Sequence, residues 1–265
     1  MSASAANAAY LYGLTRQVEP ALEDALRDLA GATSGAPKAC ILAGRSVVIG
    51  AHDGSEILQT RRRMLAHARV LEAMMGVSPV LPMRFGHVAA DVAVIDALLS
   101  THHSEIETQF DRIGHHVEVG LRVRMDRQTA LTAMLEEMPS LVAARDRLAG
   151  RGAEAHFDRI DLGRRVADAL DARRTRAQHG LAAAIAKACE DHVLKAPEDD
   201  VELIRAECLV APDALEALAE IADRAARASG FAPGAEPEVR LIGPVPPFHF
   251  IELSLALPEE AVAWV

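Results

Sequence analysis

The sequence predicts an α+β protein of two domains, and three observations carry that prediction. From Ala8 to Val88, strand-length apolar runs alternate with helical periodicity in the order β-α-β-β-α-β. Residues 116–125 (HVEVGLRVRM) set Val117, Val119, Leu121 and Val123 against Glu118, Arg122 and Arg124, the period of two of a half-buried strand. From about Arg127 to Lys195 helical patterns dominate, and a strand, a helix and a strand follow.

The first order is that of a ferredoxin-like N-terminal domain, a four-stranded antiparallel sheet with two helices on one face. It is assigned to residues 8–110, after a disordered N-terminus at 1–7. Residues 111–265 read as an α+β C-terminal domain with an extended helical insertion, echoing the first with extra helices.

Element by element, Ala8 to Leu14 is the first strand. Glu19 to Ala30 is a helix, with Leu22, Leu26 and Leu29 at helical spacing. Lys38–Ala43 and Ser46–Ala51 are strands, with Gly44-Arg45 as the two-residue connection. Glu56–Met75 is a helix whose stripe includes Leu65, Ala68, Leu71 and Met75, closed by Gly76. Residues 80–88, VLPMRFGHV, read as the fourth strand, with Met83 and Phe85 on the core face and Arg84 on the solvent face. Asp91–Ile113 is helical. In the second half, Val201–Val210 and Glu238–Ile242 are strands flanking a helix at Asp213–Ser229, and FHFIELSLAL at the end is a candidate last strand.

Composition narrows the function. A formal charge of −10 argues against a nucleic-acid backbone as the main partner, because phosphate binding needs a basic surface. Arg61, Arg62 and Arg63 read as a solvated helix face. Cys40, Cys189 and Cys208 form no C-x-x-C pair, so neither a disulfide framework nor a zinc site is indicated, which fits a reducing cytosol. The small, polar start and the lack of an apolar run of membrane length predict a cytoplasmic protein.

Catalytic motifs are missing. Gly31 to Lys38 departs from the P-loop spacing and carries a proline before the lysine, and neither G-x-G-x-x-G nor G-x-S-x-G occurs. His102-His103 and His115-His116 would need a carboxylate such as Glu105 or Glu118 to hold a metal, and neighbouring histidines diverge on a helix or strand, so no metal is expected. The run Glu198-Asp199-Asp200 lies in a loop suited to solvent rather than to acid-base work.

Two segments stand out as partner-binding candidates. In Leu81-Pro82-Met83-Arg84-Phe85-Gly86 the proline cannot donate to a ladder, which points to an edge or a strand start. In Gly243-Pro244-Val245-Pro246-Pro247-Phe248 three prolines fix an extended path. An intramolecular ion pair or hydrogen bond is expected for Arg84.

These segments, in this order, resemble the GvpL/GvpF family of gas vesicle proteins. The resemblance rests on Tyr10–Leu14, the helix at His67–Glu72, the L-P-M-R-F-G motif at Leu81–Gly86 and the V-E-V-G at Val117–Gly120. It continues through the helix at Asp161–Leu170 to Gly243–Phe250, and so covers nearly the whole chain. Val245, Phe248 and His87 stand where the family has tryptophan, tyrosine and threonine. The resemblance implies a non-enzymatic accessory or minor structural protein, located with the gas vesicle. It would bind the major gas vesicle shell protein and other gas vesicle accessory proteins and assist nucleation or assembly, without cofactors. The alternative is a tandem-domain enzyme binding haem or a small acid, with His67 or His249 as the axial ligand.

Overall fold

The structure is a computed structural model, and it describes residues 8–16, 20–53 and 55–253. The expected disorder of residues 1–7 lies outside the described residues. Contacts divide the chain into two compact units: one runs to Glu118 and resumes at Val245, and the other is Val119–Pro244. The chain from Val245 onward thus groups with the first unit, whereas the sequence reading placed all of 111–265 together.

The first unit contains β1 (Ala8–Thr15), α1 (Pro20–Leu26), β2 (Lys38–Leu42), β3 (Arg45–His52) and α2 (Arg61–Met75). After these come the two-residue strands β4 (Leu81–Pro82) and β5 (Val88–Ala89), then α3 (Val92–Thr101) and α4 (His103–Ile113). The strand order is β2-β3-β1-β4, the order expected of β-α-β-β-α-β, with β5 also paired to β1.

Where boundaries differ from the sequence reading, local chemistry explains it. The hairpin turn is Ala43-Gly44, not Gly44-Arg45: both residues have positive φ (48° and 74°), as a type I′ connection requires, and Leu42 pairs with Arg45. The second helix starts at Arg61 because Thr60 caps it, its Oγ1 accepting the Arg63 N–H at 3.3 Å. The helix expected over 91–113 is broken at His102, which leaves the helical region at φ −97°, ψ 24°.

The sheet's second face is covered as well, by α3 and α4. Ala9, Leu11, Val47 and Leu81 pack with Ile95, Leu99, Ile106 and Phe110. On the opposite face Tyr10, Tyr12 and Val48 pack with Leu22, Leu26, Val70, Leu71 and Met74 from α1 and α2. Every residue of β1 is therefore buried. A register shift between Leu11 and Gly13 returns Leu14 to the Leu11 side. Gly13 must be glycine, since a Cβ there would lie 2.9 Å from the Leu81 carbonyl oxygen.

The second unit takes up most of β6 (Val117–Arg124), followed by α5 (Arg127–Glu137), α6 (Pro139–Leu148) and α7 (His156–Ala186). Then come β7 (Asp191–Leu194), β8 (Glu202–Val210), α8 (Leu215–Ala228) and β9 (Glu238–Val245). Helix does not extend to Lys195 as expected, because residues 191–194 pair with β8. The sheet order β7-β8-β6-β9 is the same permutation as in the first sheet, with three helices in place of the first crossover helix. The longest, α7, has 31 residues, about 46 Å at 1.5 Å per residue. It buries Leu170, Ala177, Leu181 and Ile185 along one stripe. Arg173 on that stripe is also buried and satisfied, donating from Nε to the Phe231 carbonyl at 2.8 Å and pairing with Glu137.

The acidic run 198–200 is an ion-pair hub rather than a bare solvated loop. Glu198 meets Arg122 (3.0 Å) and Arg205 (2.6 Å), Asp199 meets Arg124 (2.6 Å), and Asp200 meets Arg127 (2.7 Å). The candidate last strand does not form over residues 248–253, and the rest of it lies outside the described residues.

Candidate functional site

The L-P-M-R-F-G motif is a strand only at its start. Leu81 and Pro82 pair with Leu14 and Gly13, and pairing resumes where Val88 and Ala89 oppose Tyr10 and Ala9. Five residues, Met83–His87, thus stand opposite two, Leu11 and Tyr12, and leave the sheet as a loop. Pro82 sits at a non-hydrogen-bonded position of the ladder, between Leu81 and Met83, so its missing N–H faces off the edge of the sheet rather than toward β1. Met83 and Phe85 do not share a face as strand alternation predicts. Met83 packs on the α3/α4 side and Phe85 on the α1/α2 side.

A buried polar network holds this loop. Met83 N–H donates to the Tyr12 carbonyl (2.8 Å), and Leu11 N–H donates to the His87 carbonyl (2.9 Å). His67 is 4% exposed, and burial pushes its pKa below the usual histidine value, so the ring is neutral. Its Nε2 sits 3.0 Å from the Met83 carbonyl oxygen. A carbonyl only accepts, so Nε2 carries the proton and Nδ1 is the acceptor. Tyr10 O–H therefore donates to Nδ1 at 2.7 Å, while Tyr10 Oη accepts the Gly86 N–H at 3.4 Å. Burial also raises the Tyr10 phenol, keeping it protonated as this chain of bonds requires. Both His67 nitrogens are engaged, which removes it as the axial ligand of the haem reading.

Arg84 is exposed and its guanidinium makes no ion pair or hydrogen bond among the described residues. The expectation of an intramolecular partner fails because the loop carries Arg84 away from the sheet. Its backbone carbonyl accepts instead, from His87 Nδ1 at 2.9 Å.

The closing segment runs beside this loop. Phe248 packs on the α1/α2 side, and Ile251 and Leu253 pack on the α3/α4 side, so the chain crosses the β4 edge of the sheet. Buried groups of the first unit anchor it. Glu118, 2% exposed, accepts from the His249 N–H (2.8 Å) and meets His249 Nδ1 at 2.6 Å, and Gln109 Oε1 accepts the Glu252 N–H (2.9 Å). Of the histidines weighed as metal ligands, His102 lies with its Nδ1 3.0 Å from Glu105, the carboxylate named with it, and His116 Nδ1 donates to the Ile113 carbonyl.

Two adjoining hollows result. One, of about 270 Å³, is lined by Leu81, Pro82, Met83, Arg84, Phe248 and Ile251. The other, of about 350 Å³, is apolar, with Leu11, Val88, Val94, Ile95, Leu98 and Leu99 on its walls. Met83, His87 and Leu253 line both. Six of the eleven candidate residues do not line these hollows. Phe85 packs inward and Gly86 turns the loop at φ 95°, while Pro246 and Pro247 are buried. Gly243 and Pro244, joined by a cis peptide bond, are exposed at the end of β9 in the second unit. Sequence reasoning missed Tyr10, the network role of His67, and the α3 wall. The available signal was a histidine at the core spacing of Val70, Leu71 and Met74.

Comparison with known proteins gives a consistent picture. Residues 8–252 match the family described as gas vesicle synthesis protein GvpL/GvpF. Gas vesicle protein F of a Streptomyces species is 23% identical over 243 residues, which span 92% of this chain and 99% of the relative. Its namesake from Microcystis aeruginosa is 31% identical over 111 residues, 41% of this chain and 46% of the relative. Among solved structures, GvpF from an Anabaena species superposes with a TM-score of 0.76 at 20% identity, covering 94% of this chain and 99% of that one. GvpF from Microcystis aeruginosa gives 0.67 at 20% identity, covering 93% and 99%. Those two structures share the α+β fold of this chain.

Proposed function

Because the chain belongs to the GvpL/GvpF family of gas vesicle synthesis proteins, we propose that it is a non-enzymatic accessory or minor structural protein of the gas vesicle. In this reading it binds the small hydrophobic shell protein and assists nucleation or assembly, alongside other accessory proteins. The observation that carries the reading is the apolar hollow at the interrupted edge of the first sheet, where Val88 is 39% exposed beside Leu98 and Leu99. An apolar hollow beside a short strand suits an amphipathic segment, which can add backbone hydrogen bonds while burying alternate side chains. The chain's charge of −10 would keep such a complex soluble. No helix among the described residues is long and apolar enough to cross a membrane.

The test is co-expression with the major shell protein, followed by pull-down and size-exclusion chromatography. A discrete soluble complex is expected. Val88→Asp should abolish it, and Arg84→Ala should weaken it, with the thermal unfolding of both variants close to that of the parent chain. A complex that forms equally well with Val88→Asp sinks the assignment of the surface; no complex with the folded parent chain sinks the shell-binding role.

A further inference from the structure

On the α1/α2 side of the first unit, the loop following α1 and the first turns of α2 enclose a cleft of about 670 Å³. That is within the size range of small-molecule sites. Arg62, Arg63 and Arg69 line it, and among the described residues Asp28 is the one carboxylate on its wall. Leu29, Leu58 and Ala66 supply an apolar part of the lining. The loop is fixed from beneath, its Ala32 N–H donating to the Tyr12 hydroxyl at 2.7 Å.

The three arginines differ from most of their kind in this protein. Arg16, Arg45, Arg122, Arg124, Arg127, Arg173, Arg205 and Arg227 all hold carboxylates. Among the described residues, the side chains of Arg62, Arg63 and Arg69 make neither an ion pair nor a hydrogen bond. An acidic chain that leaves three guanidinium groups unpaired around one concavity, against a single aspartate, has an uncompensated positive site there. The sequence reading of Arg61–Arg63 as a plain solvated face does not account for the cleft or for Arg69 joining them from two turns further along.

We propose that this cleft binds a small polyanion of the phosphate class. A lone carboxylate would leave most of the positive charge unmatched. A di- or triphosphate carries several charges in a compact group whose oxygens suit the guanidinium fork. The apolar lining leaves room for an uncharged portion such as a nucleoside. The phosphate can therefore come from a nucleotide or from an inorganic polyphosphate. The site is separate from the hollows of the proposed shell-protein surface and shares no residue with them.

The experiment is isothermal titration of the full chain with pyrophosphate and with ATP, both without divalent cations, at low and at physiological salt. Saturable binding at one site is expected, weakening as salt rises. The triple variant Arg62→Gln, Arg63→Gln, Arg69→Gln should lose at least tenfold in affinity, and so, to a smaller extent, should Arg69→Gln alone. Arg164→Gln, at an exposed arginine on α7 outside the cleft and outside the proposed shell-protein surface, should bind like the parent, and circular dichroism checks that each variant is folded. ATP binding more tightly than pyrophosphate identifies a nucleotide site, and equal affinity an inorganic polyphosphate site. Absence of saturable binding, equal binding by the triple variant, or tighter binding of a hexaglutamate peptide than of pyrophosphate overturns the proposal, the last by making the cleft a docking face for acidic protein segments.

Discussion

The two units repeat one sheet order, yet their fourth strands part company. In the second unit β9 runs unbroken over Glu238–Val245, with exposed and half-buried residues alternating through its first half. In the first unit the corresponding strand stops after Leu81–Pro82, loops out over five residues and resumes at Val88–Ala89. Both strands carry a proline: Pro82 is the second residue of its strand, and Pro244 is the seventh of its own. Pro82 faces off the edge, so the ladder to β1 continues through the Met83 N–H to the Tyr12 carbonyl and lapses only beyond it, where the loop is held by the Tyr10–His67 network instead. The first sheet is covered on both faces, so its edge is where a loop can leave without uncovering core. One architecture thus carries a closed strand in one copy and a loop-lined hollow in the other.

The greatest expected effect tests the closed second face that confines the loop to the edge. Leu99→Ala, at a fully buried position between α3 and the sheet, should cost about 2–5 kcal/mol in urea unfolding. A loss below about 1 kcal/mol would mean that the face is not a packed core and that the contrast with an ordinary one-faced sheet disappears. Next comes Tyr10→Phe, which strips the donor from His67 Nδ1 and the acceptor from Gly86. It should cost about 1–3 kcal/mol and speed amide exchange at Gly86 while leaving β9 unchanged. Equal acceleration in both strands would show that the network does not specifically hold the loop.

Smaller again is a pH effect that separates the units. His67 is depressed by burial, so the unfolded chain binds a proton that the folded chain refuses, and stability falls as pH drops below about 6.5. Glu107 in the first unit and Asp199 in the second are both held below the usual carboxylate value. Burial alone would raise them, but Arg45 and Arg16 around Glu107, and the Val201 N–H and Arg124 at Asp199, outweigh it. Their contributions, present above the unfolded value of about 4, are lost as pH falls through the folded values. Urea midpoints measured against pH should show both limbs, and His67→Gln should erase only the one near neutrality. Persistence of that limb in the variant would assign it to another histidine.

Much of the fold was legible in periodicity. The β-α-β-β-α-β order, the alternating strand at Val117–Arg124 and the echo in the second half all came from local patterns, which depend on neighbours a few residues away. The site was legible only as two unusual segments. Leu81–Arg84 and Phe248 do meet, but neither segment shows in sequence that Glu118 and Gln109 tether the second beside the first, since those partners lie 131 and 143 residues from the residues they hold.

The sequence by itself determined the element order, the edge position of Pro82, the acidic surface and the family to which the chain belongs. Tertiary structure alone decided that Val88 is left exposed while Tyr10 is sealed in, that His67 is neutral with its proton on Nε2, and that Arg84 has no partner among the described residues while Arg45 is buried on Glu107. The physical reason is range. Backbone preference and side-chain period act over a few residues, whereas burial, protonation and charge pairing depend on groups that only the folded chain brings together.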